Sequence, residues 1–153
     1  MRREIKSIAE SFKNAWNGIL AVIRSERNFR IHICMIIYVV FFSLIGEVSR
    51  GDILKFMLCF GMVLAAELTN SAVELLCDVY TAEYDERIRN VKDIAAGAVL
   101  VSAIAAATVG LTVFLSHDVF WCVMDKFTAK PWILIAFLAS IPISVLFIVK
   151  RGK

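Results

Sequence analysis

The sequence predicts an all-α integral membrane protein with an N-terminal amphipathic surface helix, a three-helix transmembrane core and one additional C-terminal transmembrane helix. Three observations predict it. Apolar residues make up 59% of the 153 positions, and mean hydropathy is +0.74, beyond what an ordinary soluble domain carries. Downstream of His32 the apolar residues gather into long runs separated by charged stretches. Upstream they alternate with charge at helical spacing.

The surface helix spans 5–23, where Ile5, Ile8, Phe12, Ala15, Trp16, Ile19 and Ile23 recur at i, i+3, i+4 and i+7. Arg2, Arg3, Glu4, Lys6, Glu10, Lys13, Asn14 and Asn17 fall on the other face, so the helix is expected to lie in the membrane interface. RSERNFRIH follows, and on composition alone it reads as a basic interfacial anchor. The first span is expected at about 30–46 and the second at 53–77. The third, 94–115, is rich in Ala and Gly, which permit close helix approach. A linker is expected over 116–131, and an accessory span over 132–149. Pro131 suits its first turn, and Pro142 is expected to kink its middle. The core is therefore placed at 1–115. Cys34, Cys59, Cys77 and Cys122 show no CxxC spacing and read as small apolar residues.

Lys and Arg number seven before the first span, three in the loop after the second and three at the C-terminus. The positive-inside rule then puts both termini and the loop 79–92 in the cytoplasm. No continuous apolar stretch opens the chain, so no cleavable signal peptide is expected.

The second span carries the chemistry. Glu67, Asn70, Glu74 and Asp78 stand at i, i+3, i+7 and i+11, which at about 100° per residue places them on one helix face. Acids at bilayer depth are costly and survive mainly where they meet a partner helix, a water-filled cavity or a ligand. The stripe runs toward the charged loop that holds Glu83, Asp85, Glu86, Arg87, Arg89, Lys92 and Asp93, so its site is expected to open to the cytosol. The GxxxxGK[ST], GxGxxG and HExxH signatures are absent. Mg²⁺ needs only one or two carboxylates beside phosphate oxygens and water, so Glu74 with one further acid suffices for a nucleotide site. Glu67, deeper and desolvated, suits proton transfer. An ion or proton carrier would need polar groups across both leaflets, whereas the outer half of each span is nearly uncharged. An inert assembly subunit would leave the stripe without a use. Burying the stripe calls for an oligomer.

RSERNFRIH, AELTNSAVE, Asp78, EYDE and KDIAAGAVL, in that order, resemble the prokaryotic diacylglycerol kinase and undecaprenol kinase family of small membrane lipid kinases, over about Phe12 to Gly110. The resemblance implies a bacterial inner-membrane homotrimer with active sites at subunit interfaces. It implies transfer of the γ-phosphoryl group of MgATP to the primary hydroxyl of a membrane lipid, with no nucleic-acid partner. Carried over by residue, it makes Glu67 the general base, and Glu26 and Glu74 the Mg²⁺ ligands. Asn14, Glu83, Tyr84, Asp85, Lys92 and Asp93 join Glu26 and Glu74 as nucleotide contacts, Asn70 and Asp78 as supports, and Ala96 joins Glu67 beside the lipid. Glu26 thereby moves from anchor to ligand. Asp85 stands where many members have His, Asn14 where enterobacterial-type members have Tyr, and Ala96 where the diacylglycerol-specific type has Ser. KDIAAGAVL and ERNFRIH look more like the Gram-positive undecaprenol kinases, so undecaprenol is expected ahead of diacylglycerol as substrate.

Overall fold

In this computed structural model the described residues are 2–81 and 83–150, with side chains from Ser7 onward. The side chains of Arg2, Arg3, Glu4, Ile5 and Lys6, and the terminal bases Arg151 and Lys153, lie outside that set. The described chain forms six helices: α1 (Arg2–Ser25), α2 (Arg27–Ile45), α3 (Arg50–Tyr80), α4 (Glu86–Phe114), α5 (His117–Ala129) and α6 (Pro131–Val149). Four of them, α2, α3, α4 and α6, are long and apolar enough to cross a membrane.

Helix α1 leaves its apolar face uncovered by the rest of the chain, with Ile8 57%, Phe12 74% and Trp16 60% exposed. A face of that kind, backed by charge, belongs in the membrane interface. Helices α3 and α4 form the long hairpin of the bundle, and each starts on a side-chain cap. Ser49 Oγ accepts from Asp52 N at 3.2 Å to open α3, and Asp85 Oδ1 accepts from Arg87 N at 2.7 Å to open α4. Their meeting ends are joined by the Asp78–Lys92 ion pair.

The stretch 116–131, expected as a linker, is instead mostly helix. Ser116 stands at the N-cap of α5 with Asp118 in the first turn and Lys126 in the last, an arrangement favoured by the helix dipole. Val119, Val123 and Phe127 repeat every fourth residue and turn inward. There α5 packs under the α2–α3 turn, where a Cβ on Gly46 would lie 2.9 Å from Val119 Cγ1 and 3.1 Å from Val123 Cγ2. Glu47, next in the turn, has a left-handed φ of 52°. Its Oε1 meets Lys126 Nζ at 2.7 Å, and that ammonium holds the Glu47 carboxyl below the usual carboxylate range. Val48, Phe56 and Val113 form the core at this end of the bundle.

Helix α6 runs through Pro142 without interruption and lies along α2. Phe137 stacks on Phe41 with ring centres 5.9 Å apart, and Tyr38 Oη reaches Ser144 Oγ at 2.7 Å and Ser140 Oγ at 3.2 Å. Hydroxyl pairs of this kind tie helices together where lipid offers no competing partner.

Candidate active site

The polar stripe of α3 is turned inward, toward α2 and α4. Glu67 is 2% exposed and is the most buried large side chain among the described residues. Its Oε1 lies 3.2 Å from His32 Nε2 on α2, within ion-pair range but off the line a hydrogen bond needs, so that oxygen has no hydrogen-bond partner among the described residues. One turn on, Asn70 Nδ2 donates to Glu74 Oε1 at 2.8 Å, while the buried Oδ1 of Asn70 is likewise unpartnered. Buried acceptors are nearly always bonded, so two orphans within one turn mark a place shaped for an incoming donor.

Both residues face a cleft of about 290 Å³, whose walls also include Asn28 and His32 from α2 and Ala96 and Val99 from α4. A second, almost wholly apolar groove of about 490 Å³ runs on from it, sharing Ile31, His32 and Ala103 and ending at Phe114 and Leu115. From Ala103 to Leu115 the helical rise is roughly 18 Å. Glu67 therefore sits in a cleft that carries Asn28, His32 and Asn70 and adjoins a long apolar trough, which suits a ligand with a polar head and a hydrocarbon tail.

The other expected site residues surround that cleft unevenly. Glu26 is the half-buried N-cap residue between α1 and α2, in extended conformation at φ −94°, ψ 119°. Glu26 and Glu74 are the two further carboxylates whose charge acts on Glu67. Among the described residues no three His, Cys, Asp or Glu side chains converge as a metal-binding group. A divalent ion here would take only Glu74 and Glu26 from the protein and complete its shell with ligand oxygens and water, which is the habit of Mg²⁺. Asp78 is engaged with Lys92, Asp85 with the start of α4, and Asp93 pairs with Arg89 at 3.7 Å. Glu83 is held by its backbone N–H on Thr81 Oγ1 at 3.0 Å, and Tyr84 is 78% exposed. Asn14 is exposed on α1. Glu67, Asn70 and Ala96 thus share one cleft, whereas Asn14, Glu26, Glu74, Asp78, Glu83, Tyr84, Asp85, Lys92 and Asp93 lie outside its walls.

Sequence reasoning missed His32 and Asn28. A signal was present: the two stand four apart in RSERNFRIH and so share a face of α2. Their approach to α3 is a matter of tertiary packing.

Comparison with known proteins gives the chain a family. Residues 13–114 match the family model described as prokaryotic diacylglycerol kinase. The chain is 33% identical over 114 residues to the undecaprenol kinase of Bacillus subtilis (strain 168), an alignment covering 74% of this chain and 93% of that protein. It is 36% identical over 101 residues to the diacylglycerol kinase of a Synechocystis species, covering 65% of this chain and 58% of that protein. No solved structure gives a significant match. With a buried acid in a cleft beside an apolar trough, and a family match that includes α2, α3 and α4, the three helices that line both, this chain belongs to the prokaryotic diacylglycerol kinase family and is a membrane lipid kinase.

Proposed function

We propose that this protein is an undecaprenol kinase, transferring the γ-phosphoryl group of MgATP to the primary hydroxyl of the polyprenol at the cytoplasmic face of a bacterial inner membrane. One observation carries the reading. An unpartnered oxygen of Glu67 faces the cleft that adjoins the apolar groove through Ile31, His32 and Ala103, so a lipid alcohol whose tail lies in the groove can bring its hydroxyl to that oxygen. Glu67 takes the hydroxyl proton as the lipid oxygen bonds to the γ-phosphorus. The bond from that phosphorus to the bridging oxygen breaks, and lipid phosphate and ADP leave. Glu26 and Glu74 would hold Mg²⁺, which when bound would supply neutralisation of the phosphate charge, and Asn70 fixes the Glu74 carboxylate by its hydrogen bond. Asn14 on α1, Glu83, Tyr84 and Asp85 in the α3–α4 turn, and Lys92 and Asp93 near the start of α4 take the nucleotide, with both termini on the same side.

A polyprenol is favoured by the relative of that activity, which this chain covers over 93% of its length, and by the length of the apolar groove. Diacylglycerol is the second reading, motivated by the Synechocystis relative. A panel of detergent-solubilised lipids with labelled ATP separates them: undecaprenol should be phosphorylated fastest, and faster turnover of diacylglycerol than of any polyprenol overturns the choice.

The working unit is a homotrimer with its sites at subunit interfaces. Supporting this, Asn28, Ala96 and Leu100 line the cleft yet are exposed in the single chain, as expected where a neighbour completes a wall. Cross-linking in mild detergent should show trimers, and fully active monomers would refute it.

A further inference from the structure

Arg30 is 5% exposed on α2, and its guanidinium spends its donors on backbone carbonyls at the ends of two other helices. Nη1 donates to Ile23 O at 2.9 Å and Arg24 O at 3.0 Å in the last turn of α1. Nε and Nη2 donate to Ile148 O at 3.3 and 3.2 Å in the last turn of α6. The final carbonyls of a helix have no partner within it and carry the negative end of its dipole. A buried charge is costly unless fully hydrogen-bonded, so the two helix ends and the guanidinium hold one another.

What this clamp encloses is the elbow at Glu26. The Glu26 N–H donates to Val22 O at 2.8 Å, and its carbonyl accepts from Arg30 N at 3.4 Å. The guanidinium reaches back over that single extended residue to the end of α1. The position of Glu26, the single extended residue between the two helices, depends on the angle between α1 and α2. One of the three carbonyls that fix the clamp comes from α6, a helix beyond the 13–114 family match. Tyr38 and Ser144 hold that helix in register two turns of α2 further on.

We propose that Arg30 is a positioning residue and α6 a positioning element of the kinase site: the C-terminal carbonyl of α6, through the Arg30 fork, sets the α1–α2 elbow that presents Glu26 to the nucleotide. This rests on reading Glu26 as a ligand of MgATP. It makes α6 more than an accessory span. Lysine keeps the charge of Arg30 but loses the planar fork that spans two helix ends.

The test is a double-mutant cycle on the full-length protein, reading kcat and KM for MgATP and for lipid. Glu26→Gln alone checks the underlying reading; an unchanged MgATP KM there refutes the role of Glu26 by itself. Arg30→Lys should raise the MgATP KM about fivefold or more, the scale of coupling within one hydrogen-bond network, with lipid KM within about twofold of the parent. In the Glu26→Gln background Arg30→Lys should add nothing. Tyr38→Phe combined with Ser144→Ala, which frees α6 without touching the clamp, should raise the same parameter and again add nothing in Glu26→Gln. A parental MgATP KM in either the Arg30→Lys or the Tyr38→Phe/Ser144→Ala protein overturns the proposal. So do effects that multiply with Glu26→Gln, or a proportional loss in lipid KM and kcat, which a merely structural role would produce.

Discussion

Replacing Glu67 with Gln removes a base while keeping the side chain's volume and one oxygen. Glu67 itself is 2% exposed, and Glu74, the next carboxylate of the stripe, lies two turns along α3 toward the charged loop. His32 Nε2, 3.2 Å from the carboxylate, is a neighbouring base able to take over part of the proton transfer. The loss should therefore fall within the range for general-base catalysis, about 10²–10⁴ in kcat, or about 3–5 kcal/mol of transition-state stabilisation. A residue used mainly in the transition state adds little to ground-state binding, so the MgATP KM and a directly measured nucleotide affinity should stay within about twofold. Glu74→Gln should behave differently: it removes a metal ligand and the acceptor of the Asn70 hydrogen bond at 2.8 Å. Both nucleotide affinity and turnover should drop, with partial recovery as Mg²⁺ is raised. The assay is steady-state kinetics for both substrates with equilibrium nucleotide binding, across a magnesium series. If Glu67→Gln abolished MgATP binding while Glu74→Gln bound it normally and failed only in turnover, base and ligand would be the wrong way round.

Other outcomes follow from single contacts. Asn70→Ala frees the Glu74 carboxylate from a charge-assisted hydrogen bond of about 1.5–3 kcal/mol, and should raise the MgATP KM roughly tenfold; an unchanged KM would show that Asn70 does not orient Glu74. His32→Ala takes away the ring 3.2 Å from the Glu67 carboxylate and should lower kcat by about tenfold with the MgATP KM held; a change in nucleotide KM alone would place His32 elsewhere in the cycle. Gly46→Ala puts a methyl 2.9 Å from Val119 Cγ1 and should destabilise the docking of α5 by about 1–3 kcal/mol, seen as a lower thermal midpoint in detergent. The Glu47 carboxyl sits below its ordinary range because of Lys126, so its contribution is complete above that range and drains away as pH falls through the lowered value. The thermal midpoint should therefore drop on acidification below the ordinary carboxylate range, and drop less in Glu47→Gln; equal acid sensitivity would rule the pair out as a source of stability.

The shared face of Glu67, Asn70, Glu74 and Asp78 was legible in the sequence, because spacing along one helix follows from the 3.6-residue turn alone. The membrane-crossing helices were legible for a similarly local reason, since spanning a bilayer is a matter of length and polarity within one segment. The surface helix showed itself in the same way, by a period that leaves Phe12 and Trp16 on one side. Helix α5 was legible too, in Ser116, Asp118 and the fourfold spacing of Val119, Val123 and Phe127, but its charged and aromatic composition read as a linker. Only the tertiary structure could decide which faces meet. His32 approaches Glu67 because α2 packs on α3, and nothing within either helix specifies that pairing. Arg30 reaches Ile148 O across 118 positions of sequence, and its acceptors are backbone carbonyls, which every residue has and which no side-chain pattern can mark. A partner of that kind is chosen by where a helix ends in space, and helix ends are brought together by packing.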